Sequence, residues 1–408
     1  MLIVQSLFGL VAITALAWVL SEHKKSVSWK VPLAGLALQI IIAVLLLKFQ
    51  PFQIAFIALN DLVLALQSAT EKGTSLVFGF IGGGPLPFEE PYPGAAWIFA
   101  FRGLPLILVM SALSALLFYW KILPAIVRAF AWVLRRTLGI GGAVGVSAAA
   151  NVFVGMVEAP LFIRPYLMKL SRSEMFMVMT CGLSTVAGTV MVLYAAILGP
   201  HINNVLGHIL TASLISAPAA LMIARIMVPD QNENTEAEQI TPPVNANSAM
   251  EAIVNSTGQA IQLILNIIAM LIVMVALVHL LNMVLGLLGD GVSIQLLTGY
   301  LFTPLAWLMG VPSPEAFDAG QLLGTRLVLT EFVAYLDMAK LELSARSSII
   351  LLYGLCGFAS LPSLGIMIAG FGIMVPERKS EIIELGFKSI ISATLATALT
   401  GGIAGLLA

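Results

Sequence analysis

The chain has 408 residues, of which 59% are hydrophobic and only 10% charged, and its formal net charge is −1. With a mean hydropathy of +1.00, it cannot coat a soluble particle in polar surface, so it is read as a polytopic membrane protein. The near-neutral balance offers no basic face for nucleic acid, and two cysteines set in apolar runs exclude a disulfide framework or a thiolate metal centre. Leu2–Leu20 and Val31–Leu47 are predicted to span the membrane. The first has neither a basic leader nor a small-residue cleavage site, which makes it a retained helix. The polar turn Ser21-Glu22-His23-Lys24-Lys25 between them is placed on the cytoplasmic side. Pro51–Gln67, with Asn60, Asp61 and Gln67 among apolar residues, reads as an interfacial helix, and Glu71–Pro93 as an exposed loop. Ala95–Trp120 spans again.

The most basic region follows, with Lys121, Arg128, Arg135, Arg136, Arg164, Lys169 and Arg172. Between Arg136 and Arg164 lies an apolar stretch broken by Gly142, Gly145, Asn151, Gly155 and Pro160. Were it to cross, one basic cluster would face outward. A re-entrant hairpin over about 140–170 keeps both clusters inside and lets interrupted backbone line a cavity. Glu174–Leu198 and Val205–Val228 are further spans, and Pro229–Asn247 is a polar linker. Beyond it come a span at Ala260–Leu288, an interfacial stretch Ile294–Met309 and a second hairpin, Ser313–Leu343. The last two spans, Ser347–Met374 and Glu381–Leu407, flank the basic turn Pro376-Glu377-Arg378-Lys379. Eight spans and two hairpins put every basic loop on one side. The expected organisation is 1–94 as N-terminal helices, 95–228 as a first repeat, 229–247 as linker and 248–408 as a second repeat.

Each repeat carries a carboxylate where hydrocarbon is expected. Glu158 lies in Gly-Met-Val-Glu-Ala-Pro, and Glu331 in Leu-Thr-Glu-Phe-Val-Ala-Tyr. Each precedes by the same interval a helix-breaking run, Thr185-Val186-Ala187-Gly188-Thr189 or Phe358-Ala359-Ser360. An ionised group at the bilayer centre costs at least about 2.5 kcal/mol, so each needs a partner. A structural hydrogen bond to a facing helix is one reading, and Arg326 offers Glu331 an ion pair. A ligand site at the interface of an inverted repeat is the other. Asn151, Thr185 and Thr189 are neutral oxygen donors suited to sodium, although such hydroxyls also bond their own backbone. Pro362 forces an unwound turn beside Phe358, Ser360 and Ser363, which suits a polar solute with a ring or is a simple proline kink.

Gly-Met-Val-Glu-Ala-Pro-Leu, Leu-Thr-Glu-Phe-Val-Ala-Tyr-Leu, Leu-Cys-Gly-Phe-Ala-Ser and the run 299–312 together resemble the concentrative nucleoside transporters, across essentially the whole chain. The resemblance implies an all-α homotrimer of eight transmembrane helices with two re-entrant hairpins and interfacial helices, in the bacterial inner membrane. It implies sodium-coupled nucleoside symport by an elevator motion, with sodium as coupling ion and no other cofactor. Carried over by motif, sodium falls to the side chains of Asn151 and Thr185 and the carbonyls of Val154 and Val186. The base falls to Met156, Val157 and Glu158 with Val190 near its ring, and the ribose to Glu331, Ser360 and Ser363 with Phe358 alongside. Relatives carry polar residues where this chain has Met156 and Val157, and asparagine where it has Thr330 and Ser360. These departures point to purine or broad selectivity, with a proton-coupled carrier of a modified nucleoside or other sugar-like solute as the alternative. A membrane enzyme using the two glutamates fits less well, since no His-Glu-x-x-His, nucleophile elbow or phosphate-binding lysine loop is present. A channel is the remaining rival.

Overall fold

The computed structural model describes residues 2–90, 96–230, 246–287, 289 and 291–407. Among these residues the chain is all helical, without a strand. Its N-terminal elements are α1 (Leu2–Val19), α2 (Lys30–Lys48) and α3 (Gln50–Phe78). The exposed loop expected from Glu71 begins later, because α3 continues to Phe78 before a short 3-10 turn; the loop's last three positions, 91–93, lie outside the described residues. Two features hold that extra length. Thr70 and Thr74 return their hydroxyls to Leu66 and Glu71 carbonyls, and Glu71 accepts from Arg102 at 2.5 Å.

From Phe99 a single π-helical turn leads into α4 (Leu106–Tyr119), and the amphipathic α5 (Ile122–Leu138) follows. The first interrupted segment comprises α6 (Gly142–Asn151) and two single turns, α7 (Glu158–Leu161) and α8 (Arg164–Leu167). Next is a helix in two pieces, α9 (Arg172–Ser184) and α10 (Gly188–Leu198), then an almost wholly buried α11 (Val205–Met227). Ser171 and Glu174 form a capping box at the start of α9, which fixes where that helix begins. Of the expected linker, 231–245 lies outside the described residues.

The same order of element types then recurs. The long α12 (Ala249–Gly286) is followed by α13 (Ile294–Leu308). A second interrupted segment is formed by α14 (Ala316–Val328) and α15 (Glu331–Met338), a second helix in two pieces by α16 (Ala345–Gly354) and α17 (Leu361–Met374), and the end by α18 (Lys379–Leu407). The expected span Ser347–Met374 is interrupted over 355–360, around the helix-breaking run read from the sequence, because Pro362 cannot continue the ladder and Ser360 caps a new helix start by accepting from Ser363 N–H. Seven helices among the described residues are long and apolar enough to cross a membrane. The α16–α17 pair, expected as an eighth span, is not among them; of its two pieces only α17 is a short apolar helix.

The buried core is centred on α9, α11, α16 and α18, with α11 and α18 packed against each other and each against both α9 and α16. The helix predicted as merely interfacial, α13, is also closely packed, along α14. Gly299 and Gly320 make this approach: a Cβ on Gly320 would run into the Gly299 carbonyl and the Thr303 amide. Both obstacles are backbone, so neither can rotate away. Gly320→Ala is accordingly expected to lower stability by about 1–3 kcal/mol, read as a drop in the thermal midpoint of detergent-solubilised protein; an unchanged midpoint would show that the two helices separate freely.

Cys181 and Cys356 are both buried free thiols.

Candidate functional site

Two breaks, one in each half, create the places where polar side chains gather. In the first half α9 stops at Ser184 because Thr185 and Ala187 adopt extended backbone, and α10 restarts at Gly188. That restart is where the first interrupted segment docks. Gly188 N–H donates to the Phe153 carbonyl at 3.2 Å, and a Cβ at Gly188 would occupy the same space. Docking brings the C-terminal end of α6 against the end of α9. Asn151 donates through Nδ2 to the Cys181 carbonyl at 2.8 Å and to the Thr185 hydroxyl at 2.5 Å. Asn151 and Thr185 are 3% and 1% exposed. Asn151 Oδ1, also buried, accepts nothing. A buried carbonyl oxygen without a donor costs about 1–3 kcal/mol, so this corner is built around an oxygen left free. Of the residues assigned to sodium, Asn151 and Thr185 touch, while Val186 next along is fully buried with its N–H donating to Ser213 Oγ. Val154 lies two residues from Val152 on the turn leaving α6 and faces a cavity.

That cavity, of about 470 Å³, is walled by α4, the first interrupted segment, the start of α10 and α12. Glu158 opens into it, as do Val154 and Thr189. Glu158 is the first residue of α7, and a Cβ added at Gly155 would run into its carboxylate, so the carboxylate folds back over the Gly155 backbone. Its two predecessors turn elsewhere. Met156 is 8% exposed and covers Gly182 of α9, and Val157 sits against Gly370 of α17. Val190, also 8% exposed, belongs to the buried core of α10.

The second carboxylate is more enclosed. Glu331 begins α15, just after the Thr330 cap, and is 4% exposed. The ion pair with Arg326 that the sequence suggested does not form. Arg326 sits in the last turn of α14 and aims its guanidinium at the carbonyl end of α16, donating to Gly354 O at 2.6 Å and Thr397 Oγ1 at 2.8 Å. A helix C-terminus with unpaired carbonyls attracts a cation, and here it lies within reach. Glu331 accepts instead from Tyr194 Oη of α10 at 2.6 Å, which leaves Oε2 buried without a donor. Its partner Tyr194 belongs to a chain of ring contacts that runs from Phe99 through Phe332 and Tyr194 to Tyr335.

Tyr194 is the functional candidate that sequence reasoning missed, because a tyrosine within an apolar helix reads as core; its only signal was a hydroxyl at mid-helix that must find an acceptor. Tyr194→Phe removes the one donor to Glu331 Oε1. Ligand affinity is expected to fall about three- to tenfold, measured by titration of binding, and an unchanged affinity would show that Tyr194 only packs.

Ser360 and Ser363 form a third polar point. Ser360 Oγ donates to Ser363 Oγ at 2.9 Å, with both buried, and Phe358 is half-buried on the turn before them. Glu331, Phe358, Ser360 and Ser363 do not line the cavity that Glu158 faces. The predicted residues therefore fall into a sodium-type corner, a carboxylate on an open cavity, and an enclosed carboxylate with two serines nearby in the second half.

Three family models match the chain: "Na+ dependent nucleoside transporter N-terminus" over 8–81, "Nucleoside recognition" over 100–201 and "Na+ dependent nucleoside transporter C-terminus" over 208–405. Nucleoside permease NupC of Helicobacter pylori is 34% identical, covering 98% of this chain and 97% of the permease. An uncharacterized transporter of Haemophilus influenzae is 35% identical over 100% of this chain and 98% of its own. Solute carrier family 28 member 3 of Homo sapiens is 33% identical over 98% of this chain, which spans 59% of that relative. Among solved structures, CNTnw in an inward-facing substrate-bound state superposes with a TM-score of 0.90 at 31% identity, covering 100% of this chain and 99% of that one. These relatives are transporters and permeases, not enzymes.

Proposed function

The chain belongs to the concentrative nucleoside transporter family and is a nucleoside transporter of an integral membrane type, and from that premise we propose that it imports nucleosides by sodium symport. The observation that carries the sodium part is the Asn151–Thr185 corner. A buried amide oxygen with no donor, beside a hydroxyl and the unwound backbone of Thr185–Ala187, is a neutral, oxygen-rich, water-poor place that a desolvated monovalent cation would satisfy. The name of two matching family models, with their Na+ dependence, supports the same reading.

Glu158 and Glu331 supply acceptors for substrate hydroxyls and ring N–H groups. Glu331 has one carboxylate oxygen held by Tyr194 and the other free; Glu158 lies over the Gly155 backbone and is open to the cavity. With Met156 and Val157 given over to packing, the first interrupted segment adds no other side-chain hydrogen bond to the base, which favours purine or broad selectivity. The two interrupted segments are taken as re-entrant hairpins of an inverted repeat. The broken pairs α9–α10 and α16–α17 each cross once, for eight crossings in a bacterial inner membrane. The outward apolar surface of α12, where Ile272, Leu280 and Val284 stand exposed, is available to lipid and to neighbouring subunits of a homotrimer. The segments carrying the site are proposed to slide along α4 and α12 as an elevator.

The test is uptake of labelled adenosine and uridine into proteoliposomes under an inward sodium gradient. Concentration above equilibrium that collapses when sodium is replaced by choline is expected. Uptake that follows a proton gradient instead, or passive conductance, would overturn the sodium reading. The same protein should be stabilised by about 2.7 kcal/mol when a bound nucleoside is present at 100 times its dissociation constant, seen as a thermal shift that requires sodium.

A further inference from the structure

The cavity that Glu158 faces has a polar opposite wall to which no role has yet been given. Asn255 and Gln259 both line it from α12, with Ser256 between them. Four residues apart, the two amides stand one above the other on a single helix face. Neither is engaged in the packing core, and both are exposed to the cavity. Ser256 Oγ is buried there without a hydrogen-bond partner. Beside them, Phe118 of α4 and Phe162 of the first interrupted segment pair at 5.5 Å with a 40° tilt, giving the cavity an aromatic side. At about 470 Å³, its volume lies within the roughly 300–1,000 Å³ of small-molecule sites, and its apolar lining with a few convergent polar groups is their usual character.

Resting on the nucleoside reading above, we propose that Asn255 and Gln259 of α12 read the base of a purine nucleoside across this cavity from Glu158. A carboxamide presents one donor and one acceptor in a plane, and that pair is complementary to the N7 acceptor and exocyclic amino donor of an adenine-type base. Ribose hydroxyls could also bond a carboxamide, so the comparison that singles out the base is one that changes N7 alone. The aromatic side gives the base a face to lie against. Two amides on α12 thus supply what Met156 and Val157 do not. The consequence is specific to the moving parts: Glu158 and the amides belong to different elements, so the base is recognised only while the first interrupted segment stands opposite this end of α12.

The experiment uses full-length purified protein with sodium present and compares adenosine, 7-deazaadenosine (which lacks the N7 acceptor) and uridine, by equilibrium binding to wild type, Asn255→Ala, Gln259→Ala and the volume-conserving Asn255→Asp. Wild type should prefer adenosine over 7-deazaadenosine. Each variant should bind adenosine about two- to tenfold more weakly, lose most of that preference, and hold uridine within about twofold. Monodispersity on size exclusion is the folding control, and Asn255→Asp keeps the test open should an alanine variant fail it. Unchanged discrimination in folded variants would overturn the proposal while leaving nucleoside transport intact. A wild type that binds no nucleoside would instead overturn the transport reading on which it rests.

Discussion

Glu331→Gln is expected to reduce nucleoside binding by about 10- to 150-fold while leaving the folded protein in place. The charge-neutral amide is nearly isosteric, so the buried volume that the Glu331 side chain occupies stays filled. What changes is the free oxygen. Glu331 Oε2 has no protein donor and the carboxylate as a whole has one, from Tyr194. A charge-assisted hydrogen bond contributes roughly 1.5–3 kcal/mol, and each 1.4 kcal/mol is about tenfold in affinity. Arg326 makes no ion pair with this carboxylate and keeps its bonds to Gly354 and Thr397 in the variant, so no buried cation is orphaned. Titration calorimetry with a purine nucleoside is the measurement, and the thermal midpoint without ligand is the control. Retained affinity would make Glu331 a structural residue held by Tyr194 alone.

Asn151→Leu is expected to abolish sodium stimulation. The substitution removes both the donor that holds the Thr185 hydroxyl and the unpaired Oδ1, and it puts a branched apolar group in their place. Two bonds from Nδ2 are lost, to Cys181 O and Thr185 Oγ1, but Thr185 Oγ1 remains within reach of the Cys181 carbonyl at 3.3 Å. The end of α9 therefore keeps a hydroxyl link, and folding should survive with a loss of about 1–2 kcal/mol. Nucleoside affinity with and without 100 mM sodium is the readout, a concentration on the order of those that screen surface charge to about 10 Å. At least a tenfold sodium effect in wild type should shrink to less than twofold. Equal sodium stimulation in both proteins would remove Asn151 from the ion site.

Much of this layout was legible because hydrocarbon imposes a strict grammar. Long apolar runs must be helices, and a glycine, proline or hydroxyl-rich interruption within one must line something polar. That reasoning located the breaks at Thr185–Ala187 and Phe358–Ser360 and both carboxylates. The lower limit of α3 was not legible, since Glu71 and Lys72 read as the start of a loop until Arg102, far along the chain, is seen to pair with Glu71. Partner choice was equally hidden. Arg326 stands five positions before Glu331, and sequence proximity suggests a pair, yet the end of α16 and the α18 threonines take the guanidinium. Tyr194 was passed over because it lies inside an apolar run, where a ring is indistinguishable from core until its hydroxyl is seen on Glu331.

The 38 residues of α12 amount to about 57 Å at 1.5 Å per residue, against roughly 30 Å of hydrocarbon. Ordinary tilts of up to about 40° cannot absorb the excess, so α12 must carry turns beyond the hydrocarbon, and its opening stretch, Ala249–Gln259, is the more polar end. The connection between the two halves of the chain joins α12 there, and Ala246 and Ala252 both touch the cavity. A fluorophore attached just ahead of Ser248 would consequently sit beside the cavity, where its emission can report whether the cavity is occupied.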